Sequence, residues 1–353
     1  MCARAVAVSA LEALPGFKPL DGCHCISSSL ARIFQHAKHP LSEEMILGLG
    51  AGVGFVYWRM KFGDQDSVFV GGRANLKNFY QDLGRRTGVV IREKQTASSA
   101  KAETELLKAL EQKRPVMLGG DMGMLPWFEF PGDYHFGGHT FVACGYDGGE
   151  TVLCSDIDQK ASGVKKGFLA PITREQLRKA RGSTFKPFPP KNLWLEFDFS
   201  GFHRPRPGDI VDSIKQMVDA ELNPPIKNFG VRGVRHAADE VMKWLDQFNE
   251  PQLRMQLFNL YIFIEIGGTG GGCFRPMYSR FLAEGSEITG NPALVSAAEA
   301  FARVGDRFTE VGLLFKDAFK LKNIVGRIKS ASLGLREIAD SEEAAYRILA
   351  ENV

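Results

Sequence analysis

The sequence predicts an α+β fold in two parts, a helix packed on an antiparallel sheet followed by a mainly helical second half. Three observations carry this. Residues 26–154 alternate helical periodicity with short β-rich runs, and the last two of those runs flank the turn signal Asp147-Gly148-Gly149. Residues 208–350 show almost only the helical period. Between them, residues 185–192 hold Pro187, Pro189 and Pro190, the composition of a linker. The boundary falls between residues 170 and 205, and a cut at 185/186 gives domains 1–185 and 186–353. A length of 353 residues agrees with two domains or one large one.

The elements follow in order. Residues 26–37 predict a helix, with Ile26, Leu30, Ile33 and Phe34 on one face, and Pro40 stops it. Ser42 caps a short helix over 43–47. Strands are expected at 54–59 and 68–70, a helix at 74–85, a strand at 87–92, a helix at 101–113 and an apolar strand at 115–118. Residues 140–146 and 151–154 are the arms of the hairpin. Beyond the linker, helices are expected at 208–221, 233–248, 251–261, 274–285, 293–319 and 333–350.

Composition excludes several classes. With 44% hydrophobic and 24% charged residues the chain is neither disordered nor fibrous. Lys+Arg 44 against Asp+Glu 41 leaves a net charge of +3, too weak to argue for nucleic acid or an anionic membrane as the partner. No run approaches the ~20 apolar residues of a membrane span. Residues 1–14 hold a short apolar stretch that Glu12 interrupts, unlike a secretory signal. Cys2, Cys23, Cys25, Cys144, Cys154 and Cys273 are too dilute for a disulfide framework, so a reducing, cytoplasmic setting with thiols is expected.

Cys25 stands directly before the first helix, where the positive end of the dipole favours thiolate, the form that attacks a carbonyl carbon. A buried structural thiol is the competing reading of this residue alone. His139 opens a strand after Gly137 and Gly138, and the hairpin returns through Cys154 and Ser155 to bring Asp156 level with it. One imidazole nitrogen then faces the carboxylate and the other the thiol. Cys25, His139 and Asp156 thus form a candidate Cys–His–Asp triad.

With its His24-Cys25 pair, the chain resembles papain-like cysteine enzymes and, more closely, the family of butirosin biosynthesis protein H. The resemblance continues through Leu41-Ser42-Glu43 into the glycine-rich Gly48-Leu49-Gly50 segment. It runs on through Asp121 to Leu125-Pro126, and through Gly138-His139-Thr140-Phe141-Val142 to Gly145-Tyr146-Asp147. A second stretch, Glu265-Ile266-Gly267-Gly268-Thr269 through Arg275 to Tyr278 and Phe281-Leu282, resembles the C-terminal domain that accompanies it. The resemblance implies a papain-like N-terminal domain and acyl transfer. In butirosin biosynthesis protein H an aminoacyl group moves from a carrier-protein thioester to an aminoglycoside amine. By that likeness Cys25 takes the acyl group, His139 shuttles the proton and Asp156 orients His139. The implied partners are an acyl thioester donor, with an acyl carrier protein as one possible bearer, and a small-molecule amine acceptor. His24, Glu43, Asp121 and Arg275 are the substrate-contact candidates. No cofactor and no metal are expected.

One departure bears on chemistry. Papain-like enzymes place a glutamine upstream of the nucleophile to hold the oxyanion, and the first glutamine here is Gln35. The backbone N–H of Cys25 supplies one donor, and the second is unassigned. This weakens the alternative of a peptidase or amidase using the same three residues more than it weakens transfer from an activated thioester. A second alternative is a non-catalytic binding protein or zinc-stabilised scaffold using Cys23, Cys25, His135 and His139. It has suitable residue types, but Cys-x-Cys is not the usual zinc spacing.

The glycine runs are separate signals. Residues 48–54 repeat G-x-G without the dinucleotide spacing and follow a helix, so they read as a close backbone passage. Glu43, just before them, fits a capping or dipole role as well as a functional one. Residues 267–272 lead into a helix beside Arg275. That suits either an anion contact or a close helix crossing.

Overall fold

The computed structural model of the chain describes residues 11–62, 65–130, 134–159 and 162–353. Cys2 and the first ten residues of the 1–14 stretch lie outside them. Helix α1 (Cys25–His36) buries Leu30, Ile33 and Phe34 and ends before Pro40. Helix α2 (Glu43–Leu49) starts where the Ser42 hydroxyl accepts the Met45 N–H at 2.9 Å. Strands β1 (Val53–Phe62) and β2 (Gln65–Arg73) form an antiparallel ribbon longer than the expected apolar runs, because its outer rungs pair polar residues such as Lys61 with Asp66. Helix α3 (Phe79–Thr87) begins later than residue 74. Asn75, at φ 51°, turns the chain there, and its amide donates to Gly50 O and Asp82.

Strand β3 (Val90–Lys94), helix α4 (Ser99–Glu111), strand β4 (Val116–Gly120) and the hairpin β5 (His139–Tyr146) and β6 (Thr151–Ile157) follow. Three elements were not foreseen: β7 (Gly167–Thr173), α5 (Arg174–Arg181) and β8 (Trp194–Asp198). Helix α5 opens on a capping box between Thr173 and Gln176. The six-stranded sheet has the order β3-β8-β4-β5-β6-β7, and the pairs β8–β4, β4–β5, β5–β6 and β6–β7 are antiparallel. Pro171 sits in β7 without breaking the sheet because β7 is its edge strand.

The remaining elements are helical: α6 (Pro207–Leu222), α7 (Gly230–Gln247), α8 (Glu250–Tyr261), α9 (Arg275–Thr289), α10 (Ala293–Leu313) and α11 (Ile324–Asn352). Helix α8 runs on into a π-helical turn, Ile262–Ile266. Helix α10 stops short of the expected residue 319, and α11 starts before residue 333, where the Asn323 side chain accepts the Gly326 N–H at 3.0 Å. The fold is therefore α+β, with a sheet-and-helix part first and a helical part after it. No helix of the described residues is long and apolar enough to cross a membrane.

The chain divides into two compact units, neither continuous in sequence. The first comprises the described residues of Met1–Pro40, Arg92–Asp158 and Lys166–Glu196. The second comprises those of Leu41–Ile91, Gln159–Lys165 and Phe197–Val353. The 185/186 cut lies shortly before the last changeover, and Leu41–Ile91 packs with the later helices. In the first unit α1 lies against β5, with Phe34, Phe141, Val142 and Cys144 fully buried. In the second, Trp244, Tyr278, Phe281, Phe301, Phe308 and Tyr346 form the core. A Cβ on Gly48 would stand 2.2 Å from the Phe281 ring, so the first glycine run is a passage through that core.

Candidate active site

The site is built in the first unit from the start of α1 and the first strand pair of the hairpin. Cys25 is the first residue of α1, and no side chain caps that end. Cys25 heads a helix of twelve residues without an acidic residue in the first turn, so the dipole field at the thiol is not cancelled locally. Arg32, one side of α1, ties the helix down: its guanidinium donates to Leu20 O at 2.7 Å and to Asp156 O at 3.3 Å.

His139 is the first residue of β5, opposite Gly120 of β4, and is 1% exposed. Its Nε2 meets Asp156 Oδ2 at 2.7 Å, and Asp156 is equally buried. The register differs from the level pairing expected of the hairpin. Val142 pairs with Ser155, so continuing one rung sets Asp156 level with Phe141, two residues from His139. Side chains two apart on a strand share a face, so the carboxylate still reaches the imidazole. It does so only because β5 carries one extra residue, Cys144, between the Ala143–Cys154 and Gly145–Leu153 pairs. A regular ladder from Gly145–Leu153 would set Asp156 opposite Val142 and turn it to the other face.

Cys25 hydrogen-bonds His139, and since Nε2 is taken by Asp156, Nδ1 is the nitrogen that faces sulfur. Burial works against ionisation of the thiol. The hydrogen bond and charge of His139, with a further bond to the Thr140 backbone, outweigh it and hold Cys25 below the ordinary thiol range. Burial likewise opposes the imidazolium, but the Asp156 carboxylate first and Cys25 second push His139 up to about 10. Each partner thus favours the charged form of the other. Burial drives Cys144 and Cys273 the other way, each up to about 12, and lifts Cys154 well above its usual range. Cys23, Cys25, Cys144, Cys154 and Cys273 are thiols, not disulfide halves. Among the described residues no three His, Cys, Asp or Glu side chains gather as metal ligands, so the zinc alternative has no ligand set there.

The other candidates divide between the two units. His24 is the N-cap residue of α1 and is 9% exposed. Asp121, fully buried, closes a loop in the first unit: it accepts the Gly123 and Phe136 N–H groups and the Ser183 hydroxyl, and meets His135 Nδ1 at 3.0 Å. Glu43 and Arg275 belong to the second unit. Glu43 heads α2, in the first turn, where a carboxylate suits the dipole. Arg275 is fully buried, paired with Glu342, donating to Gly54 O and Cys273 O at 2.7 Å each, and set over the Phe308 ring. Its charge is met inside the unit. Residues 270–274 all have positive φ, and a Cβ on Gly272 would stand 2.6 Å from Gly305 O, so this run is a close crossing against α10.

Four neighbours of the site escaped the sequence reading. Thr140 had no signal beyond its place after His139. Arg32 looked like an ordinary helix residue. Trp127 follows the Leu125-Pro126 motif, and its indole N–H donates to Asp156 Oδ2 at 3.0 Å. Phe128 sets its ring edge against the His139 ring, with centroids 5.4 Å apart.

Comparison with known families places this geometry. Residues 24–157 match the family model described as butirosin biosynthesis protein H, N-terminal, and residues 175–349 match a domain of unknown function (DUF4872). A search of curated proteins found no match. The first match starts one residue before Cys25 and ends one residue after Asp156, so it frames the site. The two matches follow one another along the chain and agree with the butirosin biosynthesis protein H-like family that the sequence resembles, a likeness that points to a biosynthetic enzyme.

Proposed function

We propose that the protein is an acyltransferase that carries an acyl or aminoacyl group from a thioester, through Cys25, to an amine. The observation that supports this best is the Cys25–His139–Asp156 chain, its imidazole and carboxylate buried, with the thiol held below its usual range and the imidazole pushed up to about 10. The Cys25 thiolate attacks the thioester carbonyl, and the C–S bond to the donor breaks. The departing thiolate takes the proton from His139. The amine then attacks the Cys25 acyl carbon and gives a proton to the now neutral His139. Cys25 leaves again as thiolate, and an amide has formed. The exchange needs no redox partner. The Cys25 N–H at the start of α1 is one donor to the oxyanion. The absent upstream glutamine favours an activated thioester over a peptide bond as donor, and a carrier protein in the cytoplasm is the donor's bearer in this reading.

Intact-mass analysis after incubation with acyl thioesters tests it. An acyl adduct forms on the wild-type protein and is absent from Cys25→Ala, and His139→Ala acylates far more slowly while keeping the native fold. An adduct that persists in Cys25→Ala moves the nucleophile elsewhere. Release of the acyl group only to water, with a panel of amines present, turns the reading to the hydrolase.

A further inference from the structure

The Asp121 to Leu125-Pro126 motif has no part in the chemistry above, yet the structure links it to the site. Its loop leaves β4 at Gly120 and is fastened at its base. Asp121 Oδ1 accepts the N–H groups of Gly123 and Phe136, both at 3.1 Å. Asp121 Oδ2 accepts the Ser183 hydroxyl at 2.6 Å and meets His135. The Met122 N–H donates to Phe136 O, and the Asp121 N–H to Ala180 O. Leu125 is buried, and the Phe128 N–H turns back onto Leu125 O. The next residue along from Pro126 is Trp127. Its ring lies edge-on to Phe141 and Phe168, and its N–H ends on the same carboxylate oxygen that His139 uses. The other oxygen, Oδ1, takes the Ile157 N–H at 2.8 Å.

We propose that Trp127 is a positioning residue for this site: the loop that Asp121 fastens delivers an indole N–H that fixes the Asp156 carboxylate in line with His139. The inference rests on the triad reading above. With the Ile157 N–H on one oxygen and the indole on the other, the carboxylate has one orientation, and Oδ2 is aimed at Nε2. A hydrogen bond to a charged acceptor inside a dry site is stronger than one between neutral groups, and it is directional. Asp121 acts at one further remove, through the loop.

The test is a double-mutant cycle read by the rate of acyl-adduct formation and its pH profile. Trp127→Phe keeps an aromatic ring among its neighbours and removes the N–H together with part of the indole's volume. Acylation should slow by ~10-fold or more, the worth of one hydrogen bond to a charged group, and the alkaline limb of the profile should move. Trp127→Phe in an Asp156→Asn background should cost nothing further, because the indole acts through the carboxylate. Unchanged Trp127→Phe kinetics, or losses that multiply in the double variant, overturn the proposal while leaving the triad intact. Asp156→Asn kinetics equal to wild type overturn the triad's acid, and the proposal with it, and that outcome is distinct from the other two. A measurement on the intact residue covers a Trp127→Phe protein that does not fold. The Trp127 indole ¹⁵N–H resonance should shift and lose hydrogen-exchange protection in Asp156→Asn, and a resonance unmoved by that change overturns the proposal.

Discussion

Replacing Asp156 with asparagine removes one charge from the most buried pair in the site and leaves its shape. The effect can be sized from His139. Its rise from 6.5 to about 10 corresponds to about 5 kcal/mol in favour of the imidazolium, net of the burial that opposes it. Asp156 supplies the largest favourable part, through charge and then hydrogen bond, ahead of Cys25. Losing at least half of it, about 3 kcal/mol, shifts the balance between imidazolium and imidazole by ~100-fold toward the neutral ring. Cys25 loses the positive neighbour that favours its ionisation, so its thiolate fraction falls as well. Side-chain ¹⁵N shifts of His139 followed against pH, with thiolate absorbance or iodoacetamide labelling of Cys25 in parallel, read both. Cys144, Cys154 and Cys273 are buried and pushed up, so labelling of Cys25 is selective over them. Titration curves that coincide for wild type and Asp156→Asn would refute the claim that the carboxylate sets the charge state of the pair.

Other outcomes follow from the second unit. Glu221 of α6 is buried beside Arg275 and Glu342, and burial pushes its carboxyl up to about 8. The folded state therefore holds this proton where the unfolded chain, at 4.5, releases it. Stability falls as pH rises from 4.5 to about 8 and levels off above, a loss on the order of a few kcal/mol. Glu221→Gln should flatten that slope in urea titrations, and an unaltered slope would assign it to other groups. Gly272→Ala places a Cβ against Gly305 O at φ +51° and should cost about 2–4 kcal/mol from strain and overpacking together. A variant with an unchanged denaturation midpoint would show that the 270–274 turn can open.

What could be read from the sequence followed from local physics. A helix start at Cys25 and a strand start at His139 are decided by residues within a few positions, and both were legible. So was the hairpin that brings Asp156 back. Its register was not, because the extra residue at Cys144 obeys the whole ladder and has no turn signal of its own. Trp127 stayed hidden for a similar reason: it meets Asp156 across 29 positions of chain. Strand β7 carries Pro171, and helix α5 is eight residues long with Leu177 and Ala180 as its apolar residues, so neither stands out in the sequence. Strand β8 enters the sheet between β3 and β4 from beyond the proline-rich stretch, a placement decided by tertiary pairing alone. The two-part plan was readable from the change in period, whereas the affiliation of Leu41–Ile91 with the later helices depends on packing that no local pattern encodes.

The extra residue at Cys144 has a consequence for how this chain can vary. Whether Asp156 faces His139 is a matter of odd and even. Two ladders that differ by one residue are mirror choices, and only one brings acid and base together. The turn between Tyr146 and Thr151 lies beyond the counted rungs, so it can lengthen or shorten without altering the outcome. A single deletion inside β5 next to Cys144 would leave every side chain of the triad in the sequence and still part them. The partnership is stored as a parity, and the hairpin is the device that keeps count.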